Sequence, residues 1–183
     1  MTTYNIYIIL ALIVFTVFEI IIINGYARQK NYSFIIENAI VYLLFLAFLF
    51  LQYKFSFFVE LSIITFIIIA MLGHLFGGEY LELYLNQKYY DRVLHGFGTF
   101  AFTLFAYSII LKTLLPISEP KLYTTLFVAF LGVTLGAIFE LLEFTIDLIF
   151  KSKSQPGLKD TDVDLVSDLI GAIIASLTFA FFI

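Results

Sequence analysis

The sequence predicts an all-α integral membrane protein: a six-helix transmembrane bundle in which residues 1–183 form a single transmembrane domain. Three observations predict it. Of 183 residues, 62% are hydrophobic and only 13% charged, against about 25% charged in soluble domains. The apolar residues fall in runs of about 20, the length of helix that spans a hydrocarbon core about 30 Å thick. Short polar or Pro/Gly-bearing segments separate these runs, as turns between spans require. The chain has no cysteine, so disulfides and thiolate metal ligation are excluded. A net charge of −4 without a Lys/Arg block gives no footing for nucleic acid, and membrane lipids are the expected surroundings.

Hydropathy places the spans near residues 4–23, 34–52, 55–72, 92–115, 122–150 and 163–183. The first follows an N-terminus with neither a basic region nor a small-residue cleavage site, so it reads as a span rather than a signal peptide. Asn24-Gly25 is expected to end it. A very short turn near Tyr53-Lys54 makes the second and third spans antiparallel neighbours, and Pro116 and Pro120 turn the chain between the fourth and fifth. The sizeable hydrophilic segments are 73–91 and 151–162. Within the former, residues 77–91 carry Tyr80, Tyr84, Tyr89 and Tyr90 and read as an amphipathic helix lying in the interface. Gly132 and Gly136 on the fifth span, and Gly171 and Ala175 on the sixth, are small residues four apart that mark a close contact between these two helices.

Arg28, Lys30, Lys88, Arg92, Lys151, Lys153 and Lys159 fall in the first, third and fifth connections; only Lys54, Lys112 and Lys121 lie on the other face. The positive-inside rule then places both termini outside the inner membrane and the long connections in the cytoplasm.

The informative polar residues are acids within the spans. In "FELLEFTID", Glu140, Glu143 and Asp147 project from one helix face, as do Asp164 and Asp168 on the sixth span and Asp91 and His95 on the fourth. The third span ends in "GHLFGGEYLELY", which adds His74, Glu79 and Glu82. The third and fifth spans end on the membrane side where the fourth and sixth begin, so all four clusters lie toward one face. Helical rise puts Glu140 roughly 16 Å below Lys151 and Asp168 about 10 Å below a helix start near Thr161. A carboxylate at mid-bilayer costs about 2.5–3.5 kcal/mol, so such a set needs protons, cationic side chains or a metal to neutralise it. Arg92 is one cation at the right level.

Blander readings stand beside this one. Asp91, Asp162 and Asp164 lie where helices start and suit N-caps, Asp147 suits an i, i+4 pair with Lys151, and His74 suits a helix-end histidine bonded to backbone. Glu19 and Glu60 read as single acids near helix ends with no role. "LGHLF" and "LGAIF", each followed by E-x-x-E (Glu79/Glu82 and Glu140/Glu143), form a weak internal echo.

At "YDRVLHGFGTF", "ELLEF" and "DTDVDLVSDLIGA" the sequence resembles the YjdF-like family of bacterial inner-membrane proteins. The positions that match its D-R-x-x-H, E-x-x-E and D-T-x-x-D-x-x-x-[DN]-x-x-G-A segments are Asp91, Arg92 and His95; Glu140 and Glu143; and Asp160, Thr161, Asp164, Asp168, Gly171 and Ala172. Their order also looks like the VanZ-like membrane proteins. The resemblance covers roughly the last 95 residues and departs from the pattern at Gly96 and Phe144. It implies a membrane protein with this polar set and carries no established activity.

From the residues, one hypothesis is a metal-dependent hydrolase of lipid or lipid-linked substrates at the cytoplasmic face. Glu140, Glu143, His95, Asp91, Asp164 and Asp168 would hold Mn, Fe, Zn or Mg, with His95, Asp168 and Arg92 as the catalytic set. A proton- or cation-coupled transporter or channel is the second, since intramembrane acids mark ion pathways. A non-catalytic scaffold with a structural polar network is the third.

Overall fold

The computed structural model describes residues 2–114, 120–150, 155 and 157–182. The described chain is helical: α1 (Thr3–Arg28), α2 (Tyr32–Phe55), α3 (Leu61–Leu72) with a π-helical continuation (Gly73–Tyr80), α4 (Leu83–Asn86), α5 (Tyr90–Thr113), α6 (Lys121–Phe150) and α7 (Leu158–Phe182). Among these residues, six helices are long and apolar enough to cross a membrane: α1, α2, α3 with its π-helical end, α5, α6 and α7. The all-α, six-span reading is therefore what the chain forms. It divides into two compact units, Met1–Asn86 and Gln87–Ile183.

Several boundaries differ from the sequence reading, each for a local reason. Asn24-Gly25 does not end α1, which runs to Arg28. Gly25 lies within the helix, and the Tyr80 ring fills the space a Cβ would need there, standing 2.8 Å (Oη) and 2.9 Å (Cζ) from where it would lie. The turn after α2 comes at Ser56 rather than Tyr53-Lys54, with Ser56 in the left-handed region at φ 56°. Residues 77–91 do not form one interfacial helix. Gly77–Tyr80 instead close the third span in π-helical form, Glu82 turns the chain at φ 55°, and a four-residue helix follows.

In the first unit α1 and α2 form an antiparallel hairpin. Tyr26 stacks on Phe34 at 4.9 Å and Phe15 meets Phe45 edge-on at 5.0 Å, which sets the register. Tyr4 donates to the Val59 carbonyl (2.9 Å) and Tyr7 bonds Thr65, tying α1 alongside α3. Ile22, Tyr26 and Leu75 make a core where these helices meet.

In the second unit α5, α6 and α7 pack on one another, and α7 makes the most extensive contacts with both partners. Glycine sets the approach distances. A Cβ on Gly132 would stand 2.5 Å from the Ala172 Cβ and 2.7 Å from Thr103 Oγ1. One on Gly136 would stand 2.6–2.8 Å from the Asp168 side chain. These two glycines do mark the contact between the fifth and sixth spans, α6 and α7. Gly171 does not: it packs against the Gly96 carbonyl of α5. Small residues let helices meet closely in lipid without specifying which helix they meet.

Candidate metal centre

The first turns of α5 and α7 and the last turns of α6 bring the acids of the second unit around one imidazole. His95 Nε2 lies 3.7 Å from Asp91 Oδ1 and 3.9 Å from Glu143 Oε1. Its Nδ1 lies 3.6 Å from Glu140 Oε1 and 3.4 Å from Asp168 Oδ1. Asp164 joins the group: a ligand atom from each of Asp91, His95 and Asp164 lies within 4.8 Å of the others, as does one from each of His95, Glu140 and Glu143. Three helices thus deliver the six residues Asp91, His95, Glu140, Glu143, Asp164 and Asp168 to one place.

Burial is graded across this cluster. His95, Glu140, Asp164 and Asp168 are buried, whereas the side chains of Glu143 and Asp91 remain 22% and 33% exposed. The cluster therefore has an open edge at Asp91 and Glu143 and a closed floor at Asp168. Beyond the floor, Gly132 packs against Ala172 and Thr103 with no room for a Cβ.

Two residues the sequence reading passed over complete the site. Thr99 donates to Asp168 Oδ1 at 2.6 Å. It lies one turn beyond His95, so the series 91, 95, 99 on one α5 face was its available signal. Gln155 donates from its amide nitrogen to Glu140 Oε2 (2.7 Å) and the Glu140 carbonyl (2.9 Å). Its backbone N–H also bonds Asp147 Oδ2 (2.9 Å). Nothing in its surroundings in the sequence pointed to this.

The donor set fits a cation. Glu140 Oε1, Asp164 Oδ1 and Asp168 Oδ2 are buried with no hydrogen-bond partner among the described residues. Buried carboxylate oxygens are otherwise satisfied, because an unmet one costs about 1–3 kcal/mol or more when charged. Metal–ligand bonds of about 2.0–2.2 Å set donor atoms roughly 3–4 Å apart, and the candidate donor atoms here lie within 4.8 Å of one another. One ring nitrogen of His95 suffices as a ligand; the other then faces a carboxylate, the usual arrangement for a metal-bound histidine.

Helix capping does not account for Asp162 and Asp164, since α7 begins at Leu158 and both lie within it. Asp91 is the second residue of α5, and no side chain caps that helix's start. The Asp147–Lys151 pair falls outside the described residues, because Lys151 is not among them. Arg92 pairs with no carboxylate within 4.0 Å among the described residues. Its Nη1 reaches the Lys88 carbonyl at 3.4 Å, and its Nε is buried with no hydrogen-bond partner among the described residues. It heads an apolar groove of about 420 Å³ between α5 and α7, walled by Gly96, Phe100, Ser167, Gly171 and Ile174. At about 100° per residue, the α5 residues of this groove centre about 130° around the helix from Asp91, His95 and Thr99. Arg92 therefore serves a different flank from the acids.

His74 and Glu79 group with Glu37 of α2, inside the first unit. Glu37 was legible by the same topological argument as the other acids, since the second span starts where the third ends. Glu82 is exposed at a positive φ, so the Glu79/Glu82 pair does not reproduce the Glu140/Glu143 geometry.

Residues 6–183 match the family described as "Predicted membrane protein (DUF2238)". An "Uncharacterized protein" of Thermotoga maritima is 36% identical over 99 residues, 54% of this chain and 51% of the relative. The chain thus spans about half the length of that relative. No solved structure matches it. The YjdF-like resemblance is consistent with this family, and the looser VanZ-like one finds no support in these comparisons.

Proposed function

The chain belongs to that family of predicted membrane proteins, and within it we propose a metal-dependent hydrolase of lipid or lipid-linked substrates, working where the spans meet the cytoplasmic interface of the inner membrane. The observation that carries the reading is the trio of buried carboxylate oxygens on Glu140, Asp164 and Asp168 that have no hydrogen-bond partner among the described residues, gathered about His95. His95, Glu140 and Glu143 are the principal ligands, with Asp91 and Asp164 completing the set. A divalent ion such as Mn²⁺, Fe²⁺, Zn²⁺ or Mg²⁺ supplies there a Lewis acid and a means of activating water near neutral pH.

The chain's own groups divide the remaining work. Asp168, with one oxygen fixed by Thr99 and the other without a hydrogen-bond partner among the described residues, serves in this reading as the general base. The half-open edge at Asp91 and Glu143 is where substrate and protons enter. Arg92 and the apolar α5–α7 groove lie on another flank of α5 from the acids, so Arg92 is left out of the catalytic set and the groove is at most a resting place for a lipid chain beside the site.

The runner-up is a proton or cation transporter. The two nitrogens of His95 each face a carboxylate pair, one part-exposed and one buried, as a relay would require. The close packing of Gly132 against Ala172 and Thr103 beyond Asp168 weighs against it.

Metal analysis of tag-free purified protein tests the first step. A bound ion retained by wild type and lost in His95→Ala and Glu140→Ala is expected, together with phosphate or headgroup release from phospholipid vesicles that Asp168→Asn abolishes. Metal-free wild type, or wild type that binds metal but carries ions across proteoliposomes without hydrolysis, overturns the enzyme reading.

A further inference from the structure

The motif "GHLFGGEY" is left over from the site in the second unit, and it takes the π-helical form from Gly73 to Tyr80. π-helical turns are rare and are frequently found at functional sites. Here the consequence is specific. In an α-helix, residues five apart point about 140° away from each other. The i→i+5 bonding of a π-helix winds an extra residue into each turn and returns them to one face. It brings His74 and Glu79 together: His74 Nε2 lies 3.7 Å from Glu79 Oε1 and 3.5 Å from Glu37 Oε1 of α2.

The other ring nitrogen is held from behind. His74 Nδ1 and the Tyr84 hydroxyl are hydrogen-bonded at 2.7 Å. Two backbone features make this possible. Glu82, at φ 55°, reverses the chain so that α4 returns over the π-helical turn. Gly78 lets the Tyr84 ring lie against the backbone, since a Cβ there would stand 2.5 Å from its Cζ. An imidazole fixed through one nitrogen, with the other facing two carboxylates, is how metal-ligating histidines are held.

The buried carboxylate of the pair, Glu79, is short of donors. The side chain of Glu79 is only 12% exposed, and its Oε2 is buried with no hydrogen-bond partner among the described residues. A single imidazole N–H cannot satisfy both acids, whereas one cation bound by all three groups does. Glu37, Glu79 and His74 place their ligand atoms within 4.8 Å of one another. Glu37, 44% exposed, forms the open side.

We propose that Glu37, His74 and Glu79 form a second divalent-cation site, within the first unit, with Tyr84 as the residue that positions the His74 ring. One imidazole and two carboxylates suit Mn²⁺, Fe²⁺ or Zn²⁺ rather than Ca²⁺. The proposal stands independently of the hydrolase reading, because no residue is shared with it.

Titration of tag-free, chelator-treated protein with Zn²⁺ and Mn²⁺ by calorimetry tests it, using wild type, His95→Ala, His74→Ala and the double variant. The expected stoichiometry is two, one, one and none per chain. If the site about His95 holds no metal, wild type and His95→Ala both bind one, and His74→Ala none, so failure of either site is seen separately. Tyr84→Phe should weaken the site roughly 10–100-fold without abolishing it, which a merely structural tyrosine would not do. Glu79→Gln, which keeps the shape of the side chain, serves where His74→Ala does not fold. Stoichiometry and affinity unchanged by both His74→Ala and Glu79→Gln overturn the proposal.

Discussion

Replacing Gly171 by alanine tests whether the α5–α7 contact sets the geometry at His95. A Cβ on Gly171 would overlap the Gly96 carbonyl oxygen and stand 3.0 Å from the Gly96 carbonyl carbon and 3.1 Å from the Phe100 nitrogen. All three are backbone atoms, so no side-chain rotation relieves the contact. Ordinary C···O contact is about 3.3–3.6 Å, so the helices must part by about 1 Å. Gly96 adjoins His95 and Gly171 is three residues past Asp168, so the separation opens the His95–Asp168 distance of 3.4 Å. Overpacking of this kind costs about 1–3 kcal/mol. Gly98→Ala supplies the reference, because a Cβ there meets nothing within 4 Å. Both variants gain the same helix propensity, up to about 1 kcal/mol, so their difference isolates the overpacking. Unfolding in mild detergent should place Gly171→Ala about 1–3 kcal/mol below Gly98→Ala. Metal affinity at the His95 site should fall in the former alone. Equal stability and equal affinity in the two would refute the argument.

Three further outcomes follow from buried polar groups. Thr99→Val removes the 2.6 Å donor to Asp168 and should lower stability by about 1–3 kcal/mol, while Thr99→Ser restores most of it; thermal unfolding measures both. Glu19, 2% exposed, has both carboxylate oxygens buried without a partner among the described residues. Glu19→Leu should therefore raise the unfolding midpoint, and a fall would mean that the carboxylate has a partner. Chelation should destabilise wild type, and ligand at about 100 times its Kd should restore about 2.7 kcal/mol; the His95→Ala, His74→Ala double variant should respond to neither.

The spans were legible because a 20-residue apolar run has few alternatives in a chain this poor in charge. The convergence of Asp91, His95, Glu140, Glu143, Asp164 and Asp168 was legible too, since period and span direction fix face and end. What α-helical periodicity could not show was anything that breaks it. Glu79 paired by eye with Glu82, three residues on, and its true neighbour His74 emerged only through the π-helical turn. Gly25, a breaker by propensity, lies within α1, where the Tyr80 ring packs in the space a side chain would take. Glu19 was set aside as a helix-end acid; because α1 runs to Arg28, it lies some nine residues inside that helix. Arg92 shared a level with the acids but not a flank, a distinction that depends on which side of α5 meets α7.

Charge balance links the site in the second unit to a last measurement. Asp91, Glu140, Glu143, Asp164 and Asp168 are five carboxylates about a single imidazole, in helices long and apolar enough for hydrocarbon. Neighbouring carboxylates out of water do not all stay ionised without compensating charge. Two positive charges from one ion offset two of the five, and the ligating groups must themselves be free of protons. Metal entry is therefore an exchange, in which protons leave the cluster as the ion arrives. Calorimetric titrations repeated in buffers of different ionisation enthalpy count those protons, and at least about one per metal is expected near pH 7. Stoichiometric metal binding at this site with no proton release would refute the exchange, and would mean that something other than protons compensates the acids before the ion arrives.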